Sequence, residues 1–286
     1  YETTLPVGTT RNRFAPALER GSGLKAGLDF HLVFSPERVL TGRVFADLRK
    51  YPKLVGGINE TSTKAGIDFY KAVLDFDNRD DLPQPNGVWD LVSSEASEMA
   101  KLAETTYRDV NIALANQFAK FAEGANIDIA KVIAASNSQP YSHIHQPGIA
   151  VGGHCIPIYP RFYLWNDPEA TVVRAAREAN AKMPEHAVSL LETVSYTHLT
   201  LPTNLGADVV VNDPMYTDEE IRNLGFTPYK LGESCEGVIL QADHAEYKSL
   251  GEGNFPGLKA VVDGRRAFNR DNFPKVTFNL IGASVR

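Results

Sequence analysis

The chain has 286 residues, 43% of them hydrophobic, and 35 acidic against 29 basic side chains give a formal charge of −6. That length is enough for two domains with ample cores, and the interspersed charges leave no electrostatic footprint for nucleic acid or a membrane surface. Two cysteines far apart, Cys155 and Cys235, argue against a disulfide framework and for a reducing, cytoplasmic setting, and no apolar run reaches membrane-spanning length.

The opening Tyr1-Glu2-Thr3-Thr4-Leu5-Pro6 lacks the charged and apolar regions of a signal peptide and has no initiator methionine, so the chain is expected to begin inside a gene. Gly21-Ser22-Gly23 followed by Gly27 lacks GxGxxG spacing and falls between a helix and a strand, where a dinucleotide fingerprint does not belong; it reads as a turn. Short β-rich runs at 31–34, 53–55 and 88–92 alternate with helical patterns such as 60–76, which predicts βαβ units in an open α/β sheet.

From Ser93 to Gly124 the pattern becomes one long helix, with Ser93 or Ser94 as N-cap. Met99, Ala103, Val110, Leu114, Phe118 and Phe121 fall on one stripe at helical spacing, a packing or dimer face. Lys101, Thr105, Arg108 and Ile112 recur at steps of three and four on another face, polar at one end as a site wall would be. A shorter helix at 128–136 precedes a loop with Gln146-Pro147-Gly148 and then Gly152-Gly153-His154-Cys155-Ile156-Pro157. Two glycines before a thiol and a proline after it suit a nucleophile: the backbone can come close to a substrate, and the exit is stiff. By itself the pattern equally describes a buried cysteine in a tight turn. His143, His145, His154 and Cys155 form no recognised zinc spacing, and a ligated Cys155 would not be free to attack, so no metal is assigned. Helices are expected between 169 and 191; after 204, strand-like 208–211, 237–240 and 258–262 alternate with helical 218–224 as a second α/β domain.

Between them, residues 194–203, VSYTHLTLPT, fit neither the preceding helix nor the following strand. They resemble the in-frame read-through of a transposon-type sequencing-library adapter, the alternative being a natural β-prone linker. This segment is expected to be a non-native join between two pieces of one gene; long-read sequencing that found an uninterrupted natural gene encoding it would refute that.

The ordered motifs resemble the UDP-glucose/GDP-mannose dehydrogenase family, and particularly its UDP-N-acetyl-D-mannosamine/glucosamine 6-dehydrogenase branch. They are Thr4-Leu5-Pro6-Val7-Gly8-Thr9, Ser35-Pro36-Glu37-Arg38-Val39-Leu40, Lys101 with Tyr107-Arg108-Asp109-Val110-Asn111-Ile112-Ala113, Gln146-Pro147-Gly148 with the cysteine motif, Asp213-Pro214 and Asp263-Gly264-Arg265. The resemblance implies two Rossmann-like domains, both incomplete here, joined by a central helical domain. The corresponding ranges are an NAD-binding part at 1–92, a helical dimerisation and cysteine part at 93–193, the adapter-like 194–203, and a partial UDP-sugar-binding part at 204–286. It also places a glycine-rich phosphate loop ahead of residue 1, so an incomplete form of the enzyme is expected.

The implied reaction is an NAD-dependent four-electron oxidation of a UDP-N-acetylhexosamine at C6 to the uronate, supplying polysaccharide precursors, by a cytoplasmic homodimer. The resemblance makes Cys155 the nucleophile and Lys101 the cation for developing negative charge, with Glu37, Thr4 and Thr105 near the hydrolytic water. It assigns Arg108, Gly148, Gly152, Gly153, His154 and Arg265 to the substrate, and Thr4, Glu37 and Cys155 to the cofactor. Three positions depart from the family pattern: Thr41 where glucose-oxidising members carry a second glutamate, Tyr159 where aspartate is usual, and Thr105 in place of asparagine. UDP-glucose 6-dehydrogenase and a non-catalytic nucleotide-sugar-binding or dimerisation module are the alternatives.

Overall fold

The computed structural model of the chain describes residues 1–40, 42–153, 155–194 and 207–283. Thr41, His154 and, apart from the backbone of Val194, the adapter-like segment lie outside the described residues. In chain order the elements are α1 (Ala15–Ser22), β1 (Val33–Phe34), α2 (Val44–Lys50), β2 (Lys53–Gly57), α3 (Glu60–Val73), β3 (Val88–Asp90) and α4 (Ser94–Gly124). There follow α5 (Ile129–Ser136), α6 (Tyr159–Asn166), α7 (Thr171–Ala181), α8 (Met183–Val194), β4 (Val210–Val211), α9 (Asp218–Asn223), β5 (Thr227–Pro228), β6 (Gly237–Leu240), β7 (Ala260–Asp263) and β8 (Thr277–Leu280). The mixed α/β fold with parallel pairing expected from the sequence is the fold found. The chain divides into two compact units, residues 1–108 with 153–173 and residues 109–152 with 174–286.

In the first unit the sheet order is β1-β2-β3. β2 and β3 run parallel with Lys53 opposite Val88, and α3 makes the crossover between them, the βαβ unit that the alternation predicts. Asn59 starts α3, its side chain accepting from Ser62 N at 2.9 Å. β1 is antiparallel to β2, with Val33 opposite Gly57, so the stretch before α2 does not continue the parallel pattern. The first residues extend this sheet through backbone bonds: the Tyr1 amine donates to Val33 O at 2.8 Å, Ser35 N to Tyr1 O at 2.9 Å and Glu37 N to Glu2 O at 3.0 Å. A single π-helical turn, Thr10–Phe14, leads into α1, which takes in Gly21 and Ser22, read from the sequence as turn, and closes at Gly23 in the left-handed conformation.

In the second unit β6, β7 and β8 form a parallel sheet in that order. All four β7 residues are buried because both faces of the sheet are covered. Alternation along β7 sends Val262 to one face, with Ile281, Ala119, Ala122, Ile129, Ile133, Met183 and Ala187, and Val261 to the other, among Tyr247, Phe255, Phe268, Phe273 and Phe278. β4 and β5 make a separate parallel pair linked by α9, whose Thr217 and Glu220 form a reciprocal capping box.

Candidate active site

The loop after the first extended residues brings Thr4 beside the segment 35–37, because Glu2 pairs with Glu37 along the backbone. Behind it lies Lys53, 5% exposed, whose Nζ is 2.8 Å from Glu2 Oε1 and 3.5 Å from Glu37 Oε2 and sits 4.8 Å over the Tyr70 ring. Burial pushes the Glu2 carboxyl up, but the hydrogen bonds from Lys53 and Tyr70 outweigh it and hold the group below the usual carboxylate range. Glu37 is half-buried and directed by two contacts: Oε1 accepts from Arg38 N at 2.8 Å, and Oε2 faces Lys53. Arg38 in turn reaches α4 through Glu104, Nε to Oε2 3.1 Å.

The start of the π-helical turn is occupied from within. The fully buried carboxylate of Glu98, on α4, accepts from Gly8 N at 2.5 Å, from Thr10 N at 2.8 Å and from Thr10 Oγ1 at 2.7 Å. These are backbone donors that a helix start leaves unpaired, and a fixed anion is their electrostatic complement.

α4 carries Lys101 one turn further on. Burial pushes the Lys101 ammonium below its ordinary value; Glu104, Cys155 and Glu37 oppose that push and Arg38 adds to it. The cation, the thiol and the carboxylate that the sequence singled out therefore share one electrostatic neighbourhood. Cys155 is half-buried, and its carbonyl accepts from Ile158 N at 3.1 Å and Tyr159 N at 2.9 Å in the turn that opens α6. Gly153, with φ of 79°, holds the left-handed backbone that favours glycine just before the thiol. Burial, and then the neighbouring Cys155, push the Tyr159 hydroxyl above its ordinary value, while Thr4 opposes them.

Thr105, 5% exposed, donates its hydroxyl back to the Lys101 and Leu102 carbonyls at 3.0 and 3.1 Å, which leaves it an acceptor toward any other group. Arg108 is exposed on the same helix.

In the second unit, three asparagines hold the loop 143–148 by its backbone. Asn111 pairs with His143 O and His145 N, Asn137 with Ile144 O and N, and Asn116 accepts from Gly148 N, all at 2.9 to 3.0 Å. Asn116 also donates to Asn180, which donates to the buried Asp109; Arg177 Nη1 lies 2.6 Å from the same carboxylate oxygen. The loop is thereby set against the β7 end. A Cβ added to Gly148 would lie 3.4 Å from Arg265 Nη1, and one added to Gly264 would lie 2.4 Å from Ile149. Gly148 and the exposed Arg265 are thus brought together, and Gly152, also in this unit, is exposed.

Sequence reasoning missed Glu98 and Lys53, which look like ordinary helix and strand charges until the fold buries them. It also missed the role of Asn111, Asn116 and Asn137; for the first two, a polar residue recurring along α4 was the available signal, and Asn137 caps the end of α5. Among the described residues no three His, Cys, Asp or Glu side chains gather as metal ligands would.

Residues 1–74 match the family model for the UDP-glucose/GDP-mannose dehydrogenase NAD binding domain, and residues 95–182 match that for the central domain of the same family. These matches make the chain an NAD-dependent dehydrogenase of mixed α/β fold. It is 33% identical over 294 residues to the UDP-N-acetyl-D-mannosamine dehydrogenase of Pyrococcus horikoshii, covering 92% of this chain and 68% of that protein. A second relative of the same name, from Methanococcus vannielii, is 36% identical across 87% of this chain and 64% of its own length. The solved Pyrococcus horikoshii UDP-D-ManNAc dehydrogenase superposes with a TM-score of 0.79 at 29% identity, over 98% of this chain and 71% of that one. A UDP-glucose dehydrogenase from Pyrobaculum islandicum has the same fold, with a TM-score of 0.81 at 22% identity. The chain belongs to the UDP-glucose/GDP-mannose dehydrogenase family. It is a nucleotide-sugar dehydrogenase with NAD as cofactor, and it spans about two thirds of the length of these relatives.

Thr4, Glu37 and Cys155 are half-buried, and the first two carry the hydroxyl and carboxylate that a carboxamide and ribose hydroxyls would pair with. The helix start at Gly8–Thr10 is filled by Glu98, so no pyrophosphate contact is assigned there.

Proposed function

We propose that the chain carries out the four-electron oxidation of a UDP-N-acetylhexosamine, with UDP-N-acetyl-D-mannosamine first among candidates, at C6 to the uronate. The observation that carries this reading is the convergence of Cys155, Lys101, Glu37 and Thr4 on one neighbourhood of the first unit. The names of the relatives support the sugar.

NAD, when bound, supplies the hydride acceptor for both oxidation stages. The chain's own residues hold and hydrolyse what is being oxidised. The Cys155 thiolate adds to the C6 aldehyde carbon and keeps it as a thiohemiacetal; once oxidised, this becomes a thioester. The Lys101 ammonium balances negative charge on the C6 oxygen, in a site where burial makes that charge count. Water then attacks the thioester carbon, and the carbon–sulfur bond breaks to return the thiolate. Glu37 would take the water's proton, with Thr4 and Thr105 as orienting hydroxyls. Thr4, Glu37 and Cys155 would line the nicotinamide end. Arg108, Gly148, Gly152, Gly153, His154 and Arg265 are assigned to the sugar nucleotide.

Three sequence regions serve these roles: 1–92 for NAD, 93–193 for the thiol and dimerisation, and 204–286 for the UDP-sugar. The product suits polysaccharide precursor supply in the cytoplasm, where both free cysteines stay reduced. A second copy of the chain is the expected partner.

The test is NADH formation from UDP-N-acetylmannosamine, UDP-N-acetylglucosamine and UDP-glucose by the chain and its Cys155→Ala variant. Uronate from an N-acetylated sugar, lost in the variant, is the expected result. Oxidation of UDP-glucose alone would overturn the sugar assignment, and unchanged turnover by the variant would overturn the thiol.

A further inference from the structure

Asp109, Asn116 and Asn180 are each at most 3% exposed, and together they join α4, α7 and the loop 143–148. Asp109 and Asn116 lie about two turns apart on one face of α4. Asn180, on α7, reaches both: its Nδ2 donates to Asp109 O at 3.0 Å and to Asp109 Oδ1 at 2.8 Å, and its Oδ1 accepts from Asn116 Nδ2 at 2.9 Å. Asn116 Oδ1 then accepts from the buried Gly148 N at 2.9 Å. Four residues that are distant in sequence thus make one unbroken line of hydrogen bonds, and it ends on the backbone of the loop.

We infer that Asn116 and Asn180 are positioning residues, a hydrogen-bond chain of one polarity that runs from Asp109 to Gly148 and sets the loop beside Arg265. The inference rests on the proposed assignment of Gly148 and Arg265 to the sugar nucleotide. A carboxamide can be turned end for end, and it then offers a donor where it offered an acceptor. Here both ends of the chain are backbone groups, which cannot change role. Asp109 O only accepts, so Asn180 must give it the amine and turn its oxygen to Asn116. Gly148 N only donates, so Asn116 must give it the oxygen and turn its amine to Asn180. The two demands agree. Turning either amide alone would set oxygen against oxygen and amine against amine where water does not reach, which is costly. The loop is fixed at a point of close approach: a Cβ on Gly148 would lie 3.4 Å from Arg265 Nη1 and 3.7 Å from Gly264 O, so bare backbone faces the guanidinium.

The test reads the loop directly, by amide hydrogen exchange followed residue by residue in NMR, with no substrate present. Asn116→Leu keeps the size of the side chain and removes the acceptor, so the Gly148 amide should exchange about tenfold faster, as the loss of one buried hydrogen bond implies. Asn180→Leu leaves that acceptor in place but frees the Asn116 amide to turn, and Gly148 exchange should rise about threefold. The Ile144 amide, held independently by Asn137 Oδ1 at 2.9 Å, is the reference within the same loop and should change by less than about twofold. If a single variant fails to fold, the double variant Asn116→Leu/Asn180→Leu removes both partners of their shared bond together, and the tenfold rise at Gly148 is expected there. In turnover, Asn116→Leu should raise KM for the nucleotide sugar about tenfold and change kcat by less than about twofold, because the loop is assigned to holding substrate.

Unchanged Gly148 exchange in Asn116→Leu, in Asn180→Leu or in the double variant would overturn the inference. An equal rise at Ile144 would overturn it too, by marking a general loosening, and so would a fall in kcat with KM unchanged. Because the exchange is read without substrate or NAD, it is independent of whether the proposed oxidation takes place. If the exchange pattern holds and no nucleotide sugar is oxidised, the chain of amides stands and the functional reading is what falls.

Discussion

Lys101 shows how one residue's surroundings set its use. A surface lysine stays charged to the alkaline end of the ordinary range, whereas burial brings the Lys101 charge loss down to lower pH. The sign follows directly: the ammonium is present below its depressed value and vanishes as pH rises through it. If Lys101 balances charge on the C6 oxygen, kcat should fall on an alkaline limb lying below that of an exposed lysine. Lys101→Arg, which keeps its charge to higher pH, should shift that limb upward, while Lys101→Met should lower kcat by about two to three orders of magnitude at all pH values. A pH profile of kcat for the three proteins checks this, and an alkaline limb identical in the arginine variant would rule out Lys101 as its source.

Between elements, the contact with the most at stake is the one joining α4 to α7. Asp109 is fully buried, one oxygen takes both Arg177 and Asn180, and its other oxygen and Arg177 Nε have no hydrogen-bond partner among the described residues. Burial pushes the Asp109 carboxyl above the usual range despite Arg177 and Asn180. The folded protein therefore holds this proton more tightly than the unfolded chain. Its contribution favours folding at low pH and declines as pH rises from the ordinary carboxylate range through the raised value. Asp109→Ala would leave the Arg177 charge, 14% exposed, without its carboxylate, and should cost about 3 to 5 kcal/mol in urea unfolding. A loss under about 1 kcal/mol would mean that the pair is worth no more than a surface ion pair. The same network positions Gly148 through Asn116 and Asn180, so the element that stabilises the helices also places the loop facing Arg265.

Across the molecule, the apolar stripe of α4 stays uncovered: Met99, Leu114 and Phe118 are 38 to 45% exposed and Phe121 is 71% exposed. A stripe that could have been core is thus surface in the single chain, which supports association with a second copy. Leu114→Asp with Phe121→Asp should shift sedimentation to the monomer, and a wild-type chain that already sediments as a monomer at tens of micromolar would refute the dimer, a concentration chosen on the order of typical weak association constants. How much of this was legible in the sequence depended on range. α4, α5, α3 and β6 declare themselves through local periodicity. The helix α6, Tyr-Pro-Arg-Phe-Tyr-Leu-Trp-Asn, mixes aromatics without a polar face and was not foreseen. Nor was β8, whose Asn279 is buried because it donates to Leu190 O at 3.0 Å from the neighbouring helix. The antiparallel turn of β1 against β2 leaves no local trace at all. In the site, Cys155, Lys101 and Glu37 carried their own motifs, whereas the service of Glu98 and Lys53 exists only once distant backbone has closed around them.

Glu98 gives the molecule a kind of discrimination. By seating its own carboxylate on the amides of Gly8 and Thr10, the protein has sealed the one socket in that loop that would otherwise attract any passing phosphate. Two anions cannot share it. A phosphate that approached this loop would find the Gly8 and Thr10 amides already taken, so the buried glutamate makes the loop a poor seat for an anionic part of any ligand.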